Sequence, residues 1–261
     1  MRVFTNEDLI KRNRRLAQIL FFASLIILIG GLVLTNTLAR SNYILMALPV
    51  LAMPIGLITT WISVRLTNQY VREPHPENAI QTGLKGASHN TVLYNYLFKA
   101  NHVLITPQGV FAIITRFQDG VFTVKGDKIT SSKSIGPLGW FFGLMRQDQL
   151  GKPITEARTA AADLQKQLDA ALPNLKVTVQ PVVLFVSEKA QIETADGLGS
   201  DVPVVLANSK KKPSLKGLLR DGKKQSAPLL SPAQLRRVED ALNGELSIGN
   251  AQSQVVVEDE A

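Results

Sequence analysis

The sequence contains no cysteine, and this single absence removes several classes of function. Disulfide bonds, thiolate metal sites and cysteine nucleophiles are all excluded. Histidine is scarce as well, with 3 residues in a chain of 261. The sequence also lacks a Gly-x-Ser-x-Gly nucleophile elbow and a glycine-rich phosphate loop. No complete catalytic motif therefore stands out from the residues alone.

Charged residues are missing from two long apolar segments, residues 16–39 and 43–64, which are separated only by residues 40–42. With a rise of about 1.5 Å per residue, each segment makes a helix of roughly 33–36 Å, against roughly 30 Å for the hydrocarbon core of a bilayer. The absence of any ionisable side chain within either segment counts against a proton relay or an ion pathway. The sequence therefore predicts a two-helix transmembrane hairpin over residues 16–64.

Basic residues flank the two apolar segments and are almost absent between them. Only Arg40 lies between the segments, whereas the flanking positions hold Lys11, Arg12, Arg14, Arg15, Arg65 and Arg72. The positive-inside rule then predicts a protein of the cell membrane with two spans and both termini in the cytoplasm. Two alternatives are a cleaved signal peptide, for which the first segment is too long, and a buried helical hairpin of a soluble protein.

The rest of the sequence mixes helical and strand patterns. Helices are predicted after Ser88, with an apolar stripe at Val92, Leu93, Tyr96 and Leu97, and over residues 153–172 and 231–244, the last with a capping box. Strands are predicted at residues 102–106, 110–117, 121–125 and 128–131, as an antiparallel meander, and at residues 177–186 and 202–206. This order indicates an α/β layered domain.

The domain organisation follows from these patterns. We predict a basic cytoplasmic segment, the transmembrane hairpin, a linker, one α/β domain, and a final helix followed by a disordered acidic tail. Their bounds are residues 1–15, 16–64, 65–82, 83–218 and 219–261.

Residues 101–116 carry the most specific pattern of the α/β part, a strand, a turn and a second strand that read NHVLITPQGVFAIITR. This segment is similar to the signature of the NERD (nuclease-related) domain family, and weaker agreement extends over roughly residues 83–218. The resemblance implies a restriction-endonuclease-like fold. In that fold an Asp and a Glu on adjacent strands hold a divalent metal, and a Lys activates water for attack on a phosphodiester.

The residues that the resemblance assigns to this chemistry have changed in this chain. The metal-binding Asp falls on Asn101, the Glu on Ile114 and the Lys on Arg116. Because Mg²⁺ prefers carboxylate oxygens, we predict a degenerate site with no metal and no cofactor. A metal site would need relocated acids, for which Asp119 and Asp127 are candidates, although both lie in turn sequences.

A basic segment follows the predicted strands. Its cations are Lys210, Lys211, Lys212, Lys216, Arg220, Lys223 and Lys224, in a chain of net charge +8. Three interpretations stay open for it, namely a solvated linker, a surface for anionic lipid headgroups, and a surface for nucleic-acid phosphates. Together with Arg116, these cations are the residues predicted to contact an anion.

Three functions are consistent with the sequence. The first is a membrane-anchored, non-catalytic nuclease-related domain that acts as a cytoplasmic binding or scaffolding module. The second is a membrane-bound nuclease or phosphodiesterase that uses Mg²⁺ on relocated acids. In the third, the hairpin mediates self-association and the domain caps it.

Overall fold

The computed structural model describes residues 1–37, 43–86, 90–131, 150–194, 200–224 and 230–258. They form two units. One includes the helical segment Glu7–His75, and the other is an α/β unit built from Met1–Asn6, Pro76–Lys133 and Leu150–Ala261. The α/β unit is therefore assembled from chain segments on both sides of the helical segment.

The helical unit contains α1 (Glu7–Thr37) and α2 (Tyr43–Tyr70), so the described residues of both apolar segments are helical as predicted. Among the described residues, Glu7–Val33 of α1 is the one segment that is long and apolar enough to cross a membrane. Only 11 % of that span is buried, which is the opposite of a core helix in a soluble protein. That α2 also crosses a membrane stays a prediction.

The two helices pack against each other as an antiparallel pair. Near one end of the pair, the hydroxyl of Ser63 donates a hydrogen bond of 2.8 Å to the carbonyl oxygen of Ala17. Further along, a Cβ on Gly56 would lie 2.7 Å from a methyl carbon of Leu28, so glycine permits this close approach. The hairpin is therefore closely packed over the described part of both helices.

The α/β unit is built on a six-stranded mixed sheet in the order β1-β2-β3-β4-β7-β9. The pairs β2–β3 and β3–β4 are antiparallel, whereas β1–β2, β4–β7 and β7–β9 are parallel. Its strands are β1 (Arg2–Thr5), β2 (Val92–Asn95), β3 (His102–Thr106), β4 (Gly109–Arg116), β7 (Val179–Phe185) and β9 (Val204–Leu206). A second sheet, in the order β6-β5-β8, consists of β5 (Gly120–Lys125), β6 (Lys128–Ser131) and β8 (Ala190–Thr194).

Helices cover both faces of the larger sheet, as the layered α/β prediction requires. They are α3 (Pro76–Gly83), α4 (Pro153–Ala171), α5 (Leu215–Lys224) and α6 (Pro232–Glu258). Apolar residues of α4 and α6 share one core with one face of the sheet, and those of α3 and α5 share a second core with the other face. Parallel strands of this kind need a crossover, which α4 supplies between β4 and β7.

The turn between β3 and β4 shows how local sequence sets this fold. Thr106 pairs with Gly109 across a two-residue turn, and the Thr106 hydroxyl accepts a hydrogen bond from the amide of Gln108. Gly109 adopts φ of +139°, a conformation that side chains rarely allow. The Pro-Gln-Gly sequence therefore fixes the register of β3 and β4.

Several predictions about the elements are wrong. The helix predicted after Ser88 is β2, in which four consecutive residues are buried; Ser88 itself lies outside the described residues. The predicted meander ends at β4, because β5 and β6 pair with β8 in the separate sheet.

The predicted domain bounds also change. Residues 76–82 of the predicted linker belong to α3, whose Ile80 is fully buried in the core. The predicted boundary at residues 218 and 219 falls within α5. The last helix, α6, packs on the sheet through Leu235, Val238 and Leu242 and extends to Glu258, into the tail predicted to be disordered.

Candidate functional site

The three positions to which the predicted resemblance assigns nuclease residues lie on one face of the β3–β4 pair. His102 pairs with Ile113, so one step further along the same register Asn101 lies beside position 114. Arg116 follows two residues later on β4 and faces the same way. Ile114 is 8 % exposed and belongs to the apolar core. The motif positions thus converge, but an amide and an aliphatic side chain occupy the positions at which the family has carboxylates.

Arg116 is bound within the chain. Its Nη2 donates to Oε2 of Glu156 at 2.7 Å, its Nε donates to the carbonyl oxygen of Leu150 at 3.1 Å, and its Nη1 donates to the carbonyl oxygen of Thr115. The Arg116 side chain is 14 % exposed, so the ion pair with Glu156 forms at the edge of the core. An external anion at Arg116 would have to compete with Glu156.

The acids considered as replacement metal ligands are also engaged. Asp127 forms two hydrogen bonds with Arg158, which also binds Asp201. These bonds to the guanidinium lower the pKa of both carboxyl groups. Asp119 accepts a hydrogen bond from the hydroxyl of Ser187. Within the described ranges, no group of three or more His, Asp or Glu side chains is placed to hold a metal ion.

His102 is fully buried in the core of the α/β unit. Its Nδ1 lies 2.8 Å from Oδ1 of Asn95, and because the Asn95 amide donates to the Thr5 hydroxyl, the histidine carries its proton on Nδ1. The Nε2 atom is buried and has no partner in the part of the chain that the structure describes. Burial lowers the pKa of His102 to about 3, so its ring is neutral at physiological pH.

The basic segment is not a linker, because most of it belongs to the folded unit. Lys211 donates to the carbonyl oxygens of Glu188 and Ala190, and Lys216 donates to the carbonyl oxygen of Lys85 at 2.7 Å. These hydrogen bonds tie the basic segment to the backbone of distant parts of the α/β unit. The segment ends with Lys223 and Lys224 in the last turn of α5.

Four cations of the segment line a surface cavity of about 970 Å³, which we call the α5 cavity. Lys210, Lys212, Lys216 and Arg220 contribute to its wall together with the single acid Asp221. Arg220 and Asp221 lie 3.6 Å apart, whereas the ammonium groups of Lys210 and Lys212 have no partner among the described residues. The cavity therefore carries an excess of positive charge.

Two further residues of the α5 cavity, Ser214 and Thr91, were not predicted from the sequence. Ser214 caps the first turn of α5, where its hydroxyl accepts a hydrogen bond from the amide of Gly217 at 3.1 Å. Thr91, which immediately precedes β2, lines the cavity although it is only 2 % exposed, and its hydroxyl has no partner within the described ranges. The spacing of Leu215 and Leu219 was the available signal for α5, while nothing in the sequence marks Thr91.

Comparisons of the chain with models of known protein families, with curated proteins and with solved structures found no match.

Proposed function

We propose that this chain is a membrane-anchored, non-catalytic binding module. In this proposal α1 and α2 both span the cell membrane, and the α/β unit lies in the cytoplasm. The basic segment faces anionic lipid headgroups. The observation that carries the proposal is the pairing of β1 with β2, because β1 precedes the helical hairpin and β2 follows it.

The pairing of β1 and β2 supports two spans by a topological argument. The hydrogen bonds between the strands require Arg2–Thr5 and Val92–Asn95 to lie on the same side of any membrane. If α1 crosses the bilayer, the chain must cross back before β2, and α2 is the long helix available in that interval. The basic residues that flank the hairpin favour the cytoplasmic side.

A nuclease-related fold without nuclease chemistry is the second part of the proposal. The support is local. Asn101, Ile114 and Arg116 lie together on the β3–β4 pair, yet the carboxylate that binds this group within the described residues, that of Glu156, already pairs with Arg116. We expect full-length protein to leave labelled DNA and RNA intact in Mg²⁺ or Mn²⁺. Metal-dependent cleavage that Arg116→Ala abolishes would instead establish the alternative, a membrane-bound phosphodiesterase.

Anchoring favours lipid over nucleic acid as the partner of the basic segment. A cation near an anionic leaflet contributes about 1 kcal/mol of attraction, and the attraction falls off within a Debye length. A domain tied to the membrane through both ends of a hairpin meets headgroups at a high effective concentration, whereas nucleic acid must arrive by diffusion. The basic segment also lacks the interleaved aromatic residues that stack on single-stranded bases.

The absence of cysteine makes the topology directly testable. Single cysteines at Lys11, Ser41 and Glu188 would report on the first turns of α1 ahead of its apolar segment, on the connection between the helices, and on the α/β unit, respectively. In sealed vesicles of known orientation, a membrane-impermeant maleimide should label Lys11→Cys and Glu188→Cys from the same side. It should label Ser41→Cys only from the other side. Labelling of Lys11→Cys and Glu188→Cys from opposite sides would overturn the two-span proposal.

A further inference from the structure

We propose that the α5 cavity is a binding site for a phosphate group. This inference rests on the proposed function, because it assigns the anionic partner of the basic segment to one cavity with defined walls. The observations that carry it are independent of one another: an excess of cations, the first turn of a helix, and a buried hydroxyl group without a partner.

The unpartnered hydroxyl is the most specific of these observations. Leaving a buried polar group without a hydrogen bond costs about 1–3 kcal/mol, so folded proteins seldom tolerate it without a reason. Thr91 is held in place because its carbonyl oxygen accepts a hydrogen bond from the Arg2 amide at 2.9 Å. A hydroxyl group that lines a basic cavity is a ready donor to a phosphate oxygen.

Charge around the cavity suits an anion with more than one negative charge. Four cations and one acid give the wall a net charge of about +3 when each side chain has its usual charge. The first turn of α5 adds the positive end of a helix dipole, which favours anions at the same place. Because Lys216 is already bound to a backbone carbonyl, Lys210 and Lys212 are the cations most available to a ligand.

The size of the cavity indicates that the phosphate is part of a larger group. A volume of about 970 Å³ lies at the upper end of the range for small-molecule sites, well above the needs of a single phosphate ion. A lipid headgroup phosphate and a soluble phosphate ester present the same chemistry to Thr91, Lys210 and Lys212. Binding measurements in nanodiscs with and without an anionic lipid separate these two sources.

The site is testable with inorganic pyrophosphate as the probe. Full-length protein in a nonionic detergent should bind pyrophosphate at low ionic strength, as measured by isothermal titration calorimetry. Thr91→Val keeps the shape of the side chain and removes the hydroxyl, so the affinity should fall about tenfold. Thr91→Ser keeps the hydroxyl and should bind as the unchanged protein does.

A matched pair of lysine variants controls for bulk charge. Lys212→Gln should weaken pyrophosphate binding about fivefold. Lys128→Gln makes the same change of charge on β6, outside the cavity wall, and should leave binding nearly unchanged. Equal effects of the two variants, or equal binding by Thr91→Val and the unchanged protein, would overturn the proposal.

Thermal unfolding separates a lost site from a lost fold. Because the Thr91 hydroxyl has no partner within the described residues, Thr91→Val should keep or raise the melting temperature while binding falls. A lower melting temperature that accompanies the loss of binding in Thr91→Val would mean that the hydroxyl acts in folding. Weak binding by Thr91→Ser would mean that the methyl group matters rather than the hydroxyl. Either result contradicts the proposal.

Nanodiscs distinguish the two sources of phosphate. In discs that contain phosphatidic acid, a lipid ligand would compete, so the apparent affinity for pyrophosphate would fall relative to phosphatidylcholine discs. An unchanged affinity would identify a soluble phosphate ester, and either result supports a phosphate site. The maleimide experiment is independent, since it depends only on topology. Absence of pyrophosphate binding, with DNA bound equally by the unchanged protein and Thr91→Val, would overturn the cavity proposal alone.

Discussion

Among the polar side-chain atoms that are buried without a hydrogen bond in the described part of the chain, the Thr91 hydroxyl and Nε2 of His102 have different consequences. Thr91 lines a basic cavity, where an external acceptor can reach it. His102 is fully buried, its ring centroid lies 4.9 Å from that of Tyr96, and it is not among the residues that line the α5 cavity. The first atom therefore indicates a site, and the second indicates a pH-dependent stability.

The stability of the α/β unit should fall in mild acid because of His102. Burial lowers the pKa of the ring to about 3, whereas an unfolded histidine has a pKa of about 6.5. Below about pH 6.5 the unfolded state takes up a proton that the folded state does not bind. The free energy of unfolding should then decrease by up to about 1.4 kcal/mol per pH unit as the pH falls from about 6.5 towards about 3.

The change His102→Phe tests this expectation. The variant keeps an aromatic ring but loses the hydrogen bond to Asn95, so it should be less stable at neutral pH. Because it has no group that titrates at this position, its stability should change less as the pH is lowered. Thermal unfolding of the detergent-solubilised chain over a range of pH gives the measurement. His75→Phe serves as the control and should retain the pH dependence of the unchanged protein. The same pH dependence in His102→Phe would show that another group is responsible.

At the scale of elements, the sequence predicts best where a short pattern determines structure by itself. The β3–β4 hairpin follows from its turn, and the capping box of α6 forms as predicted, with reciprocal bonds between Ser231 and Gln234. In contrast, Val92 and Leu93 repeat at a helical spacing with Tyr96, and only the neighbouring strands reveal β2. The partner of β1 lies about ninety residues away in the sequence, beyond the reach of any local pattern.

Part of the candidate site could likewise be predicted from the sequence, and part could not. The convergence of Asn101, Ile114 and Arg116 follows from a hairpin that the sequence predicts. The α5 cavity was not predicted. The many cations of α5 make its sequence resemble an exposed segment, although Leu215 and Leu219 pack in the core. Tertiary packing alone brings Thr91 to this cavity, from a segment more than a hundred residues earlier.

We expect the change of glycine to alanine to have opposite effects on stability in two helices, at Gly83 of α3 and at Gly222 of α5. A Cβ on Gly83 at the end of α3 would lie 2.2 Å from the carbonyl oxygen of Ala207, and backbone cannot easily give way. Gly83→Ala should therefore destabilise the α/β unit by about 2 kcal/mol or more. Gly222 of α5 has open space around the same position, so Gly222→Ala should stabilise by up to about 1 kcal/mol through helix propensity.

Chemical or thermal unfolding of the two alanine variants, beside the unchanged chain, measures both effects. The substitution is identical in the two cases, and only the surroundings of the new methyl group differ. A stabilising Gly83→Ala would mean that α3 does not pack closely on the segment after β9, which would also weaken the assignment of residues 76–83 to the α/β unit.

At the scale of the whole molecule, the hairpin is an insertion between two parts of one folded unit. The segment before α1 is held by three kinds of contact. Arg2 forms an ion pair of 2.6 Å with the buried Glu239, Phe4 stacks on Tyr94, and the strand itself pairs with β2. The α/β unit is therefore incomplete without residues that a hydropathy profile would assign to the lead-in of a membrane anchor.

The two ends of the insertion meet at one residue. The side-chain amide of Asn6 donates to the carbonyl oxygen of Tyr96 at 3.3 Å, and the Tyr96 hydroxyl donates to Glu77 at 3.4 Å. The chain therefore leaves the α/β unit and returns to it within about the length of a tyrosine. A flexible Gly/Ser linker of about eight residues has an average span of roughly 15 Å, which is enough to join these points.

Replacing Glu7–His75 with such a linker should give a soluble, folded, monomeric α/β unit. A chain that starts at Pro76 should be less stable by about 2 kcal/mol or more, because it leaves Glu239 unpaired in the core and exposes the edge of β2 to other molecules. Thermal unfolding and size-exclusion chromatography compare the two proteins. Equal stability would show that β1 contributes little to the fold. The main support for a return crossing by α2 would then be lost, because only a firmly paired β1 forces a chain that crosses the membrane once to cross it again.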